Sequence, residues 1–399
     1  MKNETNKLKT NVEKIVAIIF IAMIFSAFIF TIIESNTEIK TEIKNILDDK
    51  EKTGYEKISE LSGRSETILN DNIHMKSTYV NIYGLIQRIM NKNYVQDSND
   101  RTRDIVKLQN NMLTFIQKKE NMEIKAENIS NLNQILEEAN IPFIYIQAPY
   151  KIKDENDLPI GVIDYANENA DSLLANLEKF KVNTVDLREY LSNMSTEEKY
   201  FITDHHWKIE TAFKASNYIS EILNENYDFK IDDFFKDINN YKKVKQEKYL
   251  GSIGKRIGKY YAGIDNFEYI LPNYETKMKI NKNGEEKEGN FEETIIVKDL
   301  LNEKDMMQNK YACYFGGDFP EIIIQNENIN SNKRVLIIQD SYGLPFSAFM
   351  SLRVKELKMI DLRHFEKSEI EEIKEFNPDV VIMMYNPSSF YIEKNFEFK

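Results

Sequence analysis

Six short apolar runs between residues 141 and 385 set the strongest constraint on the fold. The runs are IPFIYIQAP (141–149), KVNTVDL (181–187), EIIIQ (321–325), RVLIIQD (334–340), LKMIDL (357–362) and DVVIMMY (379–385). Stretches whose apolar residues have helical spacing separate several of these runs, as in residues 166–179 and 207–224. Short apolar runs that alternate with helices are typical of strands buried on both faces, so the pattern predicts an α/β fold with a parallel sheet.

Two other regions belong to the same part of the chain. Residues 76–140 carry apolar and aromatic positions at helical spacing, as in YVNIYGLIQRIM. Residues 225–320 are polar, break the alternation and contain LGSIGKRIGKYYAGID, which indicates an insertion of loops and short antiparallel strands. We therefore expect residues 76–399 to form one α/β domain that carries an insertion at about 225–320.

A continuous apolar run lies near the start of the chain. Ile15–Ile33 contains nineteen residues without a charge, which is roughly 28 Å of helix and close to the thickness of a bilayer core. Because lysines precede the run, at positions 2, 7, 9 and 14, the N-terminus is expected in the cytoplasm and the remainder outside. A cleaved signal peptide and a buried core helix are the alternatives, but no A-x-A-like cleavage site follows Ile33.

This run divides the N-terminal region in two. We expect residues 1–34 to form a cytoplasmic tail and a transmembrane anchor, and residues 35–75, which are rich in Glu, Lys, Asn and Asp, to form a polar stalk. The expected location is therefore the cell membrane, with a single span and with the domain of residues 76–399 outside the cytoplasm.

Composition excludes several classes of function. The net charge of −12 argues against nucleic acid as a partner, because phosphate binding needs clustered Lys and Arg. The single cysteine, Cys313, excludes an intramolecular disulfide and a multi-cysteine zinc site.

The sequence DHHW, residues 204–207, places two of the four histidines next to each other. If the segment is extended, Asp204 and His206 point to one side while His205 and Trp207 point to the other. Asp204 can then orient His206 as a base. Two alternatives stay open: Asp204 caps a helix that begins at Trp207, or Asp204, His205 and His206 bind a metal ion.

A candidate nucleophile, Ser341, follows the apolar run RVLIIQD in the sequence QDSYGLPF. Open α/β sheets bind ligands at the carboxyl ends of their strands, and a helix N-terminus offers N–H groups to an oxyanion. The alternative is that Ser341 only caps the following helix.

These motifs together resemble a known group of proteins. LIIQDSY resembles the serine block of SGNH hydrolases, and a preceding D-x-H-W resembles the AlgJ/AlgX alginate O-acetyltransferases. The sequence is most similar to the DHHW family over roughly residues 80–399, with support from YLGSIGKRIGKYYAGID (249–265) and VVIMMYNPSSF (380–390). One departure is Gln339, which stands where the hydrolase signature has glycine.

The resemblance implies an SGNH-hydrolase-like three-layer α/β/α fold and a catalytic triad. Asp204 would orient His206, which would activate Ser341 for acylation. Further residues are implied in oxyanion or substrate binding: Gly316, Gly317, Arg363, Asn386 and Tyr342. Lys151 matches a P-x-K-like feature of the group that has no assigned role.

The implied function is extracytoplasmic, serine-dependent O-acylation, above all O-acetylation, of a cell-surface polysaccharide. The expected partners are a polysaccharide acceptor and, as a candidate source of acetyl groups, a membrane-bound O-acyltransferase. No cofactor and no metal ion are expected. The alternatives are a carbohydrate esterase with the same triad and a non-catalytic glycan-binding or assembly protein on the same fold.

Overall fold

The computed structural model describes residues 2–48, 53–97, 103–302 and 304–399 and divides the chain into two compact units, Met1–Tyr83 and Gly84–Lys399. Residues 1 and 49–52, which belong to the predicted anchor and stalk, lie outside the described residues.

The helices and strands are numbered in chain order. The helices are α1 (Lys2–Asp48), α2 (Gly54–Asp71), α3 (Lys76–Ile89), α4 (Met122–Glu138), α5 (Ala166–Lys179), α6 (Leu187–Tyr190), α7 (Thr196–Lys199), α8 (Ile209–Tyr227), α9 (Ser252–Ile257), α10 (Lys259–Ala262), α11 (Phe291–Ile295), α12 (Leu344–Ser351) and α13 (Glu369–Phe376). The strands are β1 (Tyr94–Val95), β2 (Ile105–Lys107), β3 (Leu113–Phe115), β4 (Phe143–Gln147), β5 (Thr184–Asp186), β6 (Tyr241–Tyr249), β7 (Asp265–Pro272), β8 (Met278–Lys282), β9 (Glu285–Gly289), β10 (Glu321–Asn326), β11 (Arg334–Gln339), β12 (Glu356–Ile360) and β13 (Val380–Tyr385).

The first unit is helical. The part of α1 from Glu13 to Asp48 is long and apolar enough to cross a membrane, which makes it a candidate single-pass anchor. The segment predicted as a stalk folds back along α1: Asn72 Nδ2 donates to Glu38 at 2.9 Å, and the His74 N–H donates to Thr31 Oγ1 at 2.9 Å. Helix α2 and the second half of α1 therefore form a hairpin.

An eight-stranded sheet with the order β5-β4-β13-β11-β12-β10-β8-β9 forms the centre of the second unit. The first five strands are parallel, as the apolar runs predict. The prediction of a parallel strand is wrong for β10, which runs antiparallel to β12. Strand β10 lies two positions from β11 in the sheet, and only residues 327–333 link the two strands, whereas consecutive strands that run parallel need a crossover of a dozen residues or more.

Both faces of the parallel strands are covered by helices, which gives the expected three-layer SGNH-like arrangement. Along β11, Ile337 packs in a cluster with residues of α8 and α12, whereas Leu336 and Ile338 pack with residues of α4, α5 and α13. Alternate side chains thus enter two separate cores. Parallel neighbours end at the same edge of the sheet, so the residues that follow β4, β11, β12 and β13 meet there.

Candidate active site

Ser341 lies in the turn between β11 and α12. It begins a short 3₁₀ turn, Ser341–Gly343, whose cap is Asp340: the Asp340 carboxylate accepts the Tyr342 N–H at 2.9 Å. A Cβ atom at Gly343 would lie 2.3 Å from Gln339 Oε1. The absence of a side chain at Gly343 therefore leaves room for Gln339, which explains how this turn tolerates a large residue where the hydrolase signature has glycine.

Asp204, His206 and Ser341 form a continuous chain of hydrogen-bonded side chains. His206 Nε2 lies 3.0 Å from Ser341 Oγ, and His206 Nδ1 lies 2.7 Å from Asp204 Oδ1. With its proton on Nδ1, the imidazole can accept the hydroxyl proton of Ser341. The sequence prediction brings these three side chains together, and the structure has them in contact.

The prediction that His205 points away from His206 is wrong. The two rings lie with centroids 3.8 Å apart, and His205 Nδ1 lies 2.7 Å from Ser252 Oγ. The extended conformation assumed for the segment does not form, because Asp204 Oδ1 accepts the His206 N–H at 3.1 Å and closes a local turn. Helix α8 also begins later than predicted, at Ile209 instead of Trp207.

The last residue of β6 and the segment after it support Asp204 and were not predicted as part of the site. The Tyr249 hydroxyl donates to Asp204 Oδ2 at 2.5 Å, and the Ser252 N–H donates to the same oxygen at 2.8 Å. A Cβ atom at Gly251 would lie 2.4 Å from the Asp204 Cβ, so only glycine permits this approach. The available signal was YLGSIGKR, which supported the family resemblance but suggested no role.

Aromatic residues fix the backbone next to Ser341. The indole N–H of Trp207 donates to the Tyr342 carbonyl at 3.0 Å, and the Tyr311 hydroxyl donates to the same oxygen at 3.1 Å. The Tyr311 ring also stacks on His206 with centroids 3.8 Å apart and an interplanar angle of 12°. The only tryptophan of the chain therefore connects the DHHW segment to the serine turn.

The charges of the site are set by burial and by close neighbours. Burial alone would raise the pKa of Asp204, but His206, His205 and the hydrogen bonds of His206 and Tyr249 lower it well below its ordinary range. Burial, and then the charge of His206, lower the pKa of His205 to about 3. Asp204 is therefore an anion and His205 is neutral at physiological pH.

Lys151 is buried beneath the DHHW segment. Its ammonium donates to the carbonyl oxygens of Leu113 and Phe201, both at 2.7 Å, and to the carbonyl oxygen of Asp204. Burial lowers the pKa of Lys151 to about 7. The side chain thus ties the loop that carries Asp204 to the start of β3.

A cavity of about 220 Å³ opens above Ser341. Its lining includes Arg103, Phe115, His205, Ser252, Arg256, Ser341, Arg363 and Tyr391. Arg363 is held there by Asp361, at 2.9 Å from its Nε, and by Asp318, at 2.9 Å from its terminal nitrogen. The cavity is therefore polar, with cationic and aromatic side chains around the serine.

The remaining predicted binding residues differ in their availability. The side-chain amide of Asn386 donates to the Pro149 carbonyl at 2.6 Å, and the Gly316 N–H donates to Ala312 at 3.0 Å, so neither donor is directed to substrate. Tyr342 lines the cavity but its hydroxyl donates to Pro149 at 3.3 Å. Gly317, at φ +120°, stays a predicted oxyanion donor.

The metal alternative uses the same residues. One ligand atom from each of Asp204, His205 and His206 lies within 4.8 Å of the others, which is close enough for a single ion. However, His206 Nε2 faces Ser341 and His205 Nδ1 faces Ser252, so both imidazoles are already oriented by hydroxyl groups.

Comparisons with known proteins agree with this fold. Residues 108–291 match the family model described as SGNH hydrolase-like domain, acetyltransferase AlgX. The structure of Bacillus cereus PatB1 with a sulfonyl adduct is 25% identical, with a TM-score of 0.60, and the match covers 74% of this chain and 97% of that one. A DHHW family protein from Eubacterium siraeum is 18% identical, with a TM-score of 0.57. The match covers 75% of this chain and 95% of that one. No curated protein matches significantly. The predicted resemblance and fold class are thereby confirmed.

Proposed function

We propose that this chain, which carries an SGNH hydrolase-like domain of the acetyltransferase AlgX type, is a serine-dependent O-acetyltransferase that modifies a cell-surface polysaccharide outside the cytoplasm. The observation that carries the proposal is the 3.0 Å contact between His206 Nε2 and Ser341 Oγ, with Asp204 behind the histidine. Nucleophilic acyl transfer uses a base within hydrogen-bond distance of the nucleophile, together with a third group that orients the base.

The first half of the reaction would acylate the enzyme. Ser341 Oγ attacks the carbonyl carbon of the acetyl donor while His206 Nε2 takes the hydroxyl proton. The tetrahedral intermediate collapses, the bond to the leaving group breaks, and His206 returns the proton to that group. The buried anion of Asp204 stabilises the imidazolium that forms between these two steps.

The second half would transfer the acetyl group. A sugar hydroxyl loses its proton to His206 and attacks the carbonyl carbon of acetyl-Ser341, after which the serine leaves and regains the proton. The oxyanion of each intermediate needs donors, for which we propose the N–H groups of Ser341 and Gly317. We propose that Arg363 contacts the acetyl donor or the sugar.

The location follows from α1 in this proposal. A single span with the preceding lysines in the cytoplasm places the active unit outside, where a membrane-bound O-acyltransferase could supply acetyl groups across the bilayer. Protease added to intact spheroplasts should then remove the chain after residue 34 while a cytosolic marker survives. Protection of the whole chain alongside that marker contradicts this orientation.

An activated acetyl ester with and without an oligosaccharide acceptor tests the reaction. The wild type should release the leaving group and acetylate the sugar, whereas Ser341→Ala should do neither. Ester cleavage without any acetylated sugar indicates an esterase. Loss of activity with a chelator, and no loss in Ser341→Ala, indicates a metal site. Sugar binding without turnover in the wild type indicates a glycan-binding protein.

A further inference from the structure

Helix α3 presents a row of apolar side chains to solvent. Tyr79, Ile82, Tyr83, Ile86 and Ile89 follow one another at helical spacing and are 42–75% exposed. Single exposed apolar residues are common on protein surfaces, but a continuous row of five marks a surface that contacts something else.

The opposite side of the same helix is packed. Gly84 and Gln87 are buried, and a Cβ atom at Gly84 would lie 2.0 Å from the carbonyl oxygen of Ile257. Arg88 at the end of the helix donates to the Tyr260 carbonyl at 3.2 Å. Because the inward side is defined by these close contacts, the apolar row is held outward and does not reach the core by a small rotation.

The helical hairpin of the first unit brings the chain back to the end of the apolar run. His74 contacts Thr31 through its backbone and Glu34 through Nδ1 at 2.8 Å, and its ring stacks on Phe30 at 4.9 Å. Ile33 is the last residue of that run. The chain therefore reaches Lys76, where α3 begins, at the level where α1 leaves the apolar segment.

The charged residues in the sequence segment that contains α3 are all basic. From Asn72 to Gln96 the sequence contains no Asp or Glu, although the chain as a whole has 65 acidic residues. The same segment contains Lys76, Arg88 and Lys92. An apolar row with tyrosines and flanking basic residues is the pattern of a helix that lies in the interface of an anionic bilayer.

We propose that the apolar row of α3 lies in the surface of the bilayer that α1 spans, so that the chain is held to the membrane at two places. The inference rests on the membrane anchor in the proposed function. It assigns α3 a role that the polar stalk expected from the sequence does not include, because a stalk would separate the following residues from lipid.

Variants of the full chain with one added cysteine test this placement, since the native Cys313 is buried and the wild type supplies the labelling blank. Ile86→Cys and Ile89→Cys would carry a nitroxide label in vesicles of phosphatidylglycerol and phosphatidylcholine. Ile24→Cys, within α1, serves as the control for the anchor. Ile160→Cys is the aqueous control, because Ile160 is fully exposed. Relaxation by oxygen and by a water-soluble nickel chelate is compared at each site.

The proposal predicts a several-fold higher ratio of oxygen to nickel accessibility at Ile86 and Ile89 than at Ile160. If Ile24 lies in lipid while Ile86 and Ile89 behave like Ile160, the α3 inference is wrong and the anchor stands. If Ile24 is also aqueous, the anchor itself is wrong. Labels at Ile86 and Ile89 that are immobile and shielded from both reagents indicate a protein partner and overturn the lipid assignment.

Discussion

Two buried aspartates belong to the surroundings of Ser341: Asp204 contacts His206, and Asp340 precedes the serine in the sequence. Their environments change their pKa values in opposite directions. Asp204 accepts hydrogen bonds from His206, Tyr249 and Ser252, and its pKa is lowered. Asp340 accepts from the Tyr342 N–H and from the Ser389 hydroxyl. Burial raises its pKa, although Arg363 acts against this shift.

The difference assigns a different role to each carboxyl group. In the proposed mechanism, Asp204 stays ionised beside an imidazole that becomes charged during the reaction, which is what a triad requires. Asp340, although adjacent to the serine in sequence, caps the turn that presents Ser341 and contributes through backbone geometry. We therefore propose Asp204, and not the aspartate next to Ser341 in the sequence, as the acid of the triad.

The largest expected effect separates the two acids by activity. Asp204→Asn should lower kcat with an activated acetyl ester by roughly 10²–10⁴-fold, because the histidine loses its orienting anion. Asp340→Asn should lower it by less than about tenfold, because an asparagine oxygen can still accept the Tyr342 N–H. Equal losses in both variants, each confirmed as folded by thermal melting, contradict the distinction.

The pH dependence of stability should separate the acids by sign. Asp204 has a lowered folded pKa, so its contribution is present above the unfolded value of about 3.9 and is lost as the pH falls. The destabilisation by Asp204→Asn should therefore shrink on acidification. Asp340 has a raised folded pKa, so ionisation disfavours the fold, and Asp340→Asn should become relatively more stable as the pH rises. Melting temperatures from pH 3 to 8 test both slopes.

Removal of one hydrogen bond to Asp204 should have a smaller effect. Tyr249→Phe deletes the donor to Asp204 Oδ2. We expect the activation free energy to rise by about 1.5 kcal/mol, which lowers kcat roughly tenfold. Tyr385→Phe is the matched control, because the buried Tyr385 hydroxyl has no hydrogen-bond partner among the described residues. A loss in the control as large as in Tyr249→Phe indicates packing as the cause.

The last prediction concerns stability alone, in the turn that Asp340 caps. Gly343→Ala places a methyl group against Gln339 and should lower the free energy of unfolding by about 1–3 kcal/mol. Combination with Gln339→Gly should recover part of that loss, because the two side chains occupy the same space. Denaturant unfolding of both single variants and the double variant measures the coupling. If the changes in the free energy of unfolding of the two single variants simply add in the double variant, the two side chains do not compete for the same space.

Much of the fold could be predicted from local patterns. The apolar runs predict β4, β11, β12 and β13 because strands buried on both faces leave an unbroken apolar signature. The direction of β10 could not be predicted, since the apolar run EIIIQ indicates a strand but not whether that strand runs parallel or antiparallel to its neighbours. Only the short link to β11 determines it.

The site was predictable where a motif carries its own geometry. Asp204, His206 and Ser341 are such residues, because their types and places at turns indicate their chemistry. Tyr249 and Ser252 could not be predicted, since their contacts with Asp204 span 45 and 48 residues. Asn386 was expected to face substrate, but its amide satisfies a buried carbonyl, and sequence spacing does not report that competition.

Covalent capture of Ser341 tests the central claim most directly. The full-length protein would be treated briefly with an activated acetyl ester or a sulfonyl fluoride, quenched in acid and mapped by peptide mass spectrometry. A single adduct on the peptide that contains Ser341 is expected in the wild type, with none in Ser341→Ala and strongly reduced labelling in His206→Ala. Labelling elsewhere in the chain, or equal labelling of the wild type and folded His206→Ala, would contradict nucleophilic catalysis by an activated Ser341.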